Sequence, residues 1–172
     1  MSKLNRLALS VLATGVLVLA AWVVLAHGNM QGRVKATIGK ANVTIEYNRP
    51  SLKGRDMLKK IHPGDLWRIG SDDPTTLESD VDLDFGGTRV PKGKHILLAR
   101  LVEPGKWLLI VSRKSVFEYQ PSAKIAEVPM ELQESKDSAE MVTIQLSNKG
   151  GRGVIEIAWG TARLIASFAP AS

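Results

Sequence analysis

Hydrophobic and polar residues alternate along much of the chain after residue 32. The alternation has a period of two at residues 43–47, 81–85, 144–146 and 155–157. A period of two places successive side chains on opposite faces of a strand, whereas a helix repeats about every 3.6 residues. The pattern therefore predicts half-buried β-strands.

Two other segments, residues 96–102 and 107–111, are almost continuously apolar, as expected for central strands that are buried on both faces. Turn residues separate the strands, at Gly39-Lys40, Gly86-Gly87 and residues 91–93, 103–106 and 148–151. One short helix is predicted over residues 56–61, because Gly54 precedes it and Pro63-Gly64 ends it. About eight to ten short strands with no long helix predict an all-β fold. We expect an antiparallel β-sandwich, jelly-roll-like or a related barrel.

An apolar run at residues 7–26 follows the cations Lys3 and Arg6. A helix of this length, at about 1.5 Å per residue, spans the roughly 30 Å hydrocarbon core of a bilayer. Positive charges before the run favour a cytoplasmic N-terminus and export of the rest. The length favours an uncleaved anchor, whereas the small residue at position 26 is compatible with signal-peptide cleavage.

The predicted organisation is therefore a signal-anchor or signal peptide at residues 1–26, a tether at 27–32 and a β-sandwich domain at 33–172. The domain is expected in the cell envelope. It would be held at the inner membrane through residues 7–26, or be periplasmic or secreted if the helix is cleaved.

Composition excludes several classes of chemistry. The chain has no cysteine, which excludes disulfides, thiolate metal sites and a cysteine nucleophile. Its formal charge of +6 falls to +4 beyond Arg6, where 21 Lys and Arg face 17 Asp and Glu. These cations are dispersed and no nucleic-acid-binding motif is present, so we expect no nucleic-acid partner. No motif predicts a cofactor or a metal site.

A cationic and aromatic segment is the candidate ligand site. Its residues are Tyr47, Arg49, Lys53, Arg55, Trp67 and Arg68. Arginine forks match carboxylate or phosphate oxygens, and aromatic faces can stack on a sugar ring or a cation. Alternatively, the arginines donate to backbone carbonyls of an irregular loop, which is a structural role. The sequence leaves both interpretations open.

The same segment carries a family resemblance. The residues are Tyr47-x-Arg49-Pro50-Ser51-x-Lys53-Gly54-Arg55, then Trp67-Arg68-x-Gly70, Thr75-Thr76, Pro91-x-Gly93, Trp107 and the strand at 154–159. This combination resembles the bacterial domain of unknown function 2911 family, from about residue 42 to residue 168. The chain departs from the family at Asp73-Pro74, where an alanine is usual, and at Lys94-His95, where a tyrosine is usual. The resemblance implies a secreted or envelope-exposed β-domain and assigns it no activity.

Three function classes follow. The first is a non-catalytic module that binds an anionic small molecule, a glycan or an envelope protein. The second is a small hydrolase or lyase that acts on an anionic envelope substrate, with His62, Asp65 or Glu78 as acid or base. The third is a structural or assembly domain. The acidic alternation at residues 80, 82 and 84 does not match a calcium loop, because positions six and twelve of that motif would hold Phe85 and Pro91.

Overall fold

The computed structural model describes residues 30–172, which form ten β-strands. The strands are β1 (Met30–Ile38), β2 (Ala41–Arg49), β3 (Leu66–Trp67), β4 (Thr76–Ser79), β5 (Leu83–Phe85), β6 (Thr88–Val90), β7 (Gly93–Glu103), β8 (Lys106–Ser112), β9 (Lys124–Lys149) and β10 (Arg152–Pro170). Their pairings are antiparallel. The prediction of an all-β antiparallel fold is therefore confirmed.

All ten strands belong to one hydrogen-bonded sheet, in the order β1-β2-β4-β7-β8-β9-β10-β5-β6, with β3 paired to β7. Four of the predicted turns join neighbouring strands of this sheet. Gly39-Lys40 connects β1 to β2, Gly86-Gly87 connects β5 to β6, Pro104-Gly105 connects β7 to β8, and Gly150-Gly151 connects β9 to β10. Local turn chemistry therefore fixes the sequential hairpins, because glycine accepts the backbone conformations that tight turns require.

Several predicted boundaries need correction. The helix predicted over residues 56–61 is a single 3-10 turn at Leu58–Lys60, because the flanking glycines and Pro63 leave too few residues to nucleate an α-helix. A second 3-10 turn occurs at Pro121–Ala123. The last three residues of the predicted tether belong to β1, which starts at Met30. The N-terminal apolar run lies outside the described residues, within which no helix is long and apolar enough to cross a bilayer.

β9 and β10 form a long two-stranded ribbon that folds back on itself. They pair from Arg152 opposite Lys149 to Ile165 opposite Glu131, with register shifts on both sides of Gly160. A Cβ atom on Gly153, near the start of β10, would lie 2.2 Å from Cζ of Phe168, near its end. The two ends of β10 therefore face each other, and the bend lies at the bulge.

The sheet also curls, which brings β2 against the distant strand β9. The Tyr47 hydroxyl accepts a hydrogen bond from the Ile144 backbone N–H at 2.9 Å, and the Val142 N–H donates to the Pro50 carbonyl at 3.1 Å. Ser51 forms an isolated antiparallel bridge with Met141. The core lies inside this curl, and the segment that follows β2 is thereby placed beside the bulge of the ribbon.

Candidate functional site

A groove of about 540 Å³ opens between residues 52–63 and the bulge of the β9–β10 ribbon. Trp107 and Trp159 line its interior, and we call it the tryptophan groove. Its apolar walls are formed by Leu52, Met57, Leu58, Ile61, Leu101 and Leu132, and its charged rim by Arg55, Asp56, Lys59 and Glu134. An apolar interior with a few polar groups at its margin is typical of small-molecule sites.

Three tryptophans fix the base of the groove. Trp67 stacks on Trp159, with ring centroids 5.4 Å apart and planes 9° apart, and meets Trp107 edge-on at 71°. The two indoles that line the groove are therefore steeply inclined to each other and form an aromatic corner. The Trp159 Nε1–H is buried and has no hydrogen-bond partner within residues 30–172. A buried donor without a partner is costly, and this one belongs to an indole that lines the groove.

The first wall of the groove is the loop at residues 52–63. The Leu52 N–H donates to the Glu140 carbonyl at 2.8 Å, and the Gly64 N–H donates to the Leu101 carbonyl at 2.7 Å. Between these two anchors, Met57, Leu58 and Ile61 pack against the core while remaining partly exposed. The loop is therefore fixed at both ends and presents apolar side chains to the groove.

The second wall is the bulge of the β9–β10 ribbon, which Arg163 holds in shape. Its guanidinium donates to the carbonyls of Gly160 and Ala162, both at 2.9 Å, and to the Asp137 carbonyl at 2.8 Å. The side chain of Arg163 is only 15% exposed and lies 3.7 Å from the Glu156 carboxylate. One planar fork thus donates to three carbonyls beside the register shifts of the ladder.

The two walls carry opposite charge. Residues 52–63 contain four Lys and Arg and one Asp, a net charge of +3, and residues 131–140 contain one Lys and four Asp and Glu, a net charge of −3. Lys59 pairs with Asp56 at 3.0 Å. This hydrogen bond lowers the pKa of Asp56 and raises the pKa of Lys59, to which the field of Glu134 adds a smaller increase. Glu134 and the loop thus line opposite walls of the same groove.

The six predicted ligand-site residues do not surround one cavity. Tyr47 and Trp67 are buried in the core, Tyr47 bonded to Ile144 and Trp67 stacked on Trp159. Arg49 donates to the Val142 carbonyl and to the Thr143 hydroxyl, both at 3.1 Å. These are contacts with other groups of the protein, the kind that the structural interpretation of the segment describes.

The other three residues of the set lie nearer the surface. Lys53 has a left-handed backbone, with φ of 49°, and its N–H donates to the Glu140 carboxylate. Arg68 donates to the Asp72 carbonyl and lies over the exposed ring of Phe117. Of the six, Arg55 is the one that lines the tryptophan groove.

A second cavity of about 470 Å³ lies over β1 and β2 and is more polar. Its charged centre is Glu46, which pairs with Arg33 at 3.3 Å and with Lys94 at 3.0 Å. The Lys94 hydrogen bond is the main cause of the lowered pKa of Glu46. Tyr47 is the one predicted ligand-site residue that lines this second cavity. Tyr47 and Arg55 therefore belong to different cavities.

Two of the three predicted acid–base candidates, His62 and Asp65, lie next to each other. His62 Nδ1 lies 3.5 Å from the Asp65 carboxylate, and the His62 N–H donates to the same oxygen at 2.8 Å. Both side chains are exposed, and Glu78 lies elsewhere, on β4 opposite Lys94 of β7. In the described part of the chain, no group of three or more His, Asp or Glu side chains is arranged to hold a metal.

Comparison with known proteins identifies the family. A family model described as a protein of unknown function (DUF2911) matches residues 30–168, most of the chain. The chain belongs to the DUF2911 family. The resemblance predicted from the sequence motifs is thus confirmed. Neither the curated proteins nor the solved structures include a significant match to this DUF2911 chain.

Sequence reasoning missed the tryptophan groove of this DUF2911 domain. Trp107 and Trp159 are buried in the core, and they also line the groove. One sequence signal was available: Met57, Leu58 and Ile61 place three large apolar side chains in a short segment between glycines and Pro63. Large apolar residues in a loop too short for a helix indicate that the loop packs against the hydrophobic core.

Proposed function

We propose that this DUF2911 protein is a non-catalytic binding module of the cell envelope, and that its ligand site is the tryptophan groove. The observation that carries the proposal is the aromatic corner of Trp107 and Trp159, enclosed by apolar side chains from two separate walls. A well-formed apolar cavity with few polar groups is the usual form of a ligand site.

The cellular location is part of the proposal. It is supported by the apolar run at residues 7–26 and the cations that precede it. We also interpret the curled sheet as a two-layered β-sandwich related to closed barrels. Support for this interpretation comes from contacts between strands far apart in the sheet order, such as Tyr47 of β2 with Ile144 of β9.

The proposed site differs from the cationic segment predicted from the sequence. Arg49 donates to protein groups, and Trp67 is covered by Trp159. An anion site centred on these residues would have to break their present contacts. Arg55 is the member of the predicted set that we retain, as a charged group at the rim of the groove.

A charge placed in the groove tests the proposal. Leu132 lines the groove and is 36% exposed, so Leu132→Asp should fold while placing a carboxylate against any apolar ligand. Val102→Asp is the matched control, because Val102 is 47% exposed and does not line the groove. The full-length protein and both variants would be screened by thermal shift against a library of amphipathic and aromatic compounds.

We expect compounds that raise the melting temperature of the wild type and of Val102→Asp but not of Leu132→Asp. Stabilisation by a bound ligand follows from mass action, since the ligand binds the folded state. Equal shifts for all three proteins would place the ligand outside the groove and refute the assignment. Hydrolysis or elimination of a library compound that is lost on His62→Ala would favour the hydrolase or lyase alternative.

A further inference from the structure

The charges at the rim of the tryptophan groove point to a ligand class. We propose that the groove binds a zwitterionic amphiphile: an apolar chain with a head group that carries an anionic and a cationic group close together. This inference rests on the proposed function, and it names the chemistry that the same site would recognise.

Two of the four charged groups at the rim already neutralise each other. Asp56 and Lys59 bond to each other at 3.0 Å, and the Lys59 N–H also donates to the Asp56 carboxylate at 3.3 Å. Because these two charges already pair with each other, they interact only weakly with a charged ligand. The remaining charged groups of the rim are Arg55 on the loop and Glu134 on the strand wall.

Arg55 retains most of its donors. Its Nε–H donates to the Leu52 carbonyl at 3.1 Å, which fixes the plane of the guanidinium. Within residues 30–172 its two terminal amino groups have no hydrogen-bond partner. A guanidinium anchored through Nε and open at its terminal nitrogens is suited to a carboxylate or phosphate group.

Glu134 supplies the opposite charge on the facing wall. Within the described residues its carboxylate forms no hydrogen bond and no close ion pair, although its field raises the pKa of Lys59. A ligand anion near Arg55 would be repelled by Glu134 unless the ligand also brought a cation. A zwitterionic head group satisfies both walls, whereas a singly charged one leaves one wall unpaired.

The interior of the groove selects the rest of the ligand. Apart from the two indoles and the charged rim, the lining is mostly aliphatic or thioether side chains, among them Leu52, Met57 and Leu132, and its hydroxyl groups come from Ser138 and Thr161. Two hydroxyl groups are too few to satisfy those of a buried sugar ring, and burying hydroxyl groups without partners is costly. An alkyl chain is stabilised by each such contact, because burial removes its apolar surface from water.

Four amphiphiles with the same alkyl chain provide the test: decylphosphocholine, decanoate, decyltrimethylammonium and decyl maltoside. Each is titrated calorimetrically into the full-length protein, below the concentration at which it forms micelles. Phosphocholine without a chain is the fifth probe, and it distinguishes a soluble head-group metabolite from a lipid-like ligand. The variants are Arg55→Gln and Glu134→Gln, with Arg152→Gln and Glu118→Gln as exposed controls that change the net charge equally.

We expect decylphosphocholine to bind most tightly and phosphocholine alone not to bind measurably. Arg55→Gln should weaken decylphosphocholine and decanoate about three- to tenfold and leave decyltrimethylammonium unweakened. Glu134→Gln should weaken decylphosphocholine and decyltrimethylammonium by a similar factor and should strengthen decanoate. The two control variants should match the wild type.

Three outcomes would overturn the inference. Decanoate or decyltrimethylammonium could bind at least as tightly as decylphosphocholine, which would indicate a singly charged ligand. Decyl maltoside could bind equally well with no effect of either rim variant, which would leave an apolar groove without head-group recognition. Tight binding of chain-free phosphocholine would indicate a soluble ligand. If no alkyl compound binds and Leu132→Asp has no effect in the thermal-shift screen, the proposed function itself fails.

Discussion

At the scale of single residues, the motif that identifies the family stabilises the local structure through close packing. The Tyr47 ring covers Gly32 of the neighbouring strand so closely that a Cβ atom there would lie 2.4 Å from Tyr47 Cζ. Gly70 approaches the Asn48 carbonyl in the same way, at 2.9 Å from its Cβ position. Ile69, which precedes it, is fully buried in a left-handed conformation. Side chains and glycines here are matched to each other, which explains their residue types without a ligand.

Tyr47→Phe tests this structural role. The substitution keeps the ring and removes the hydroxyl, so the buried Ile144 N–H loses its partner at 2.9 Å. We expect the free energy of unfolding in urea to fall by about 1–3 kcal/mol, the usual cost of an unpaired buried donor. Tyr119→Phe is the control and should change stability by less, because within residues 30–172 the half-buried Tyr119 hydroxyl bonds only to Arg100. Unchanged stability of Tyr47→Phe would contradict the assignment.

Gly70→Ala tests the close approach to Asn48. Gly70 has a φ of 157°, and its new methyl group would press on a backbone carbonyl that cannot move away cheaply. Gly105→Ala is the matched control, since Gly105 also has a positive φ, of 80°, but has open space around it. We expect Gly70→Ala to cost about 1–3 kcal/mol in chemical denaturation and to exceed the cost of Gly105→Ala. Equal costs would mean that backbone conformation alone selects glycine.

At the scale of elements, the bulge in the β9–β10 ribbon shapes one wall of the groove. Arg163→Gln replaces the two guanidinium nitrogens that donate to Gly160, Ala162 and Asp137 with one amide group on a shorter side chain. We expect the free energy of unfolding to fall by about 2–3 kcal/mol and ligand-induced thermal shifts to shrink. Arg163→Lys should not restore either quantity, since an ammonium cannot reproduce the planar fork. Normal ligand shifts in a destabilised Arg163→Gln protein would show that the bulge does not shape the site.

Some strands of the sheet could be predicted from the sequence and others could not. Strands with one buried face, such as β2, alternate clearly because every second side chain is inside, and glycine turns mark their ends. β9 could not be predicted in full, because residues 131–140 are mostly exposed on both faces and carry no apolar period. β10 also continues past the predicted strand at residues 154–159, through the bulge, to Pro170.

The groove was beyond sequence reasoning for a different reason. Its walls come from residues 52–63, the β7–β8 hairpin and the β9–β10 ribbon, which are far apart in the chain. Their proximity depends on the curl of the whole sheet. The predicted cations were conspicuous because they cluster in sequence, and their actual contacts are with distant backbone groups, such as Arg49 with Val142.

At the scale of the whole molecule, carboxylates tie distant segments together. Asp80 accepts hydrogen bonds from the backbone and side chain of Asn42, and Glu140 accepts them from Ser51 and the Lys53 N–H. Asp82 accepts from the Lys92 N–H at 2.7 Å and pairs with Arg89. These hydrogen bonds hold the pKa of Asp80, Asp82 and Glu140 below their ordinary values. Their ionised forms therefore stabilise the folded state.

The acid stability of the protein follows from these shifts. A carboxylate whose pKa is lower in the folded state contributes stability above its unfolded pKa, and this contribution is lost as pH falls through the folded value. The ordinary values are 3.8 for Asp and 4.5 for Glu, so we expect the urea midpoint to fall as pH drops below about 4.5. Loss of negative charge from a chain that already carries +4 beyond Arg6 adds self-repulsion.

Asp82→Asn isolates one of these carboxylates. The variant should be less stable than the wild type at neutral pH, because the Arg89 pair is lost and the Lys92 N–H meets a weaker acceptor. The difference should shrink as pH falls, because acid removes the same charge from the wild type. Asp73→Asn is the control, since within residues 30–172 Asp73 has no ion pair to lose. A stability difference that stays constant from neutral to acidic pH would show that Asp82 acts through packing rather than through its charge.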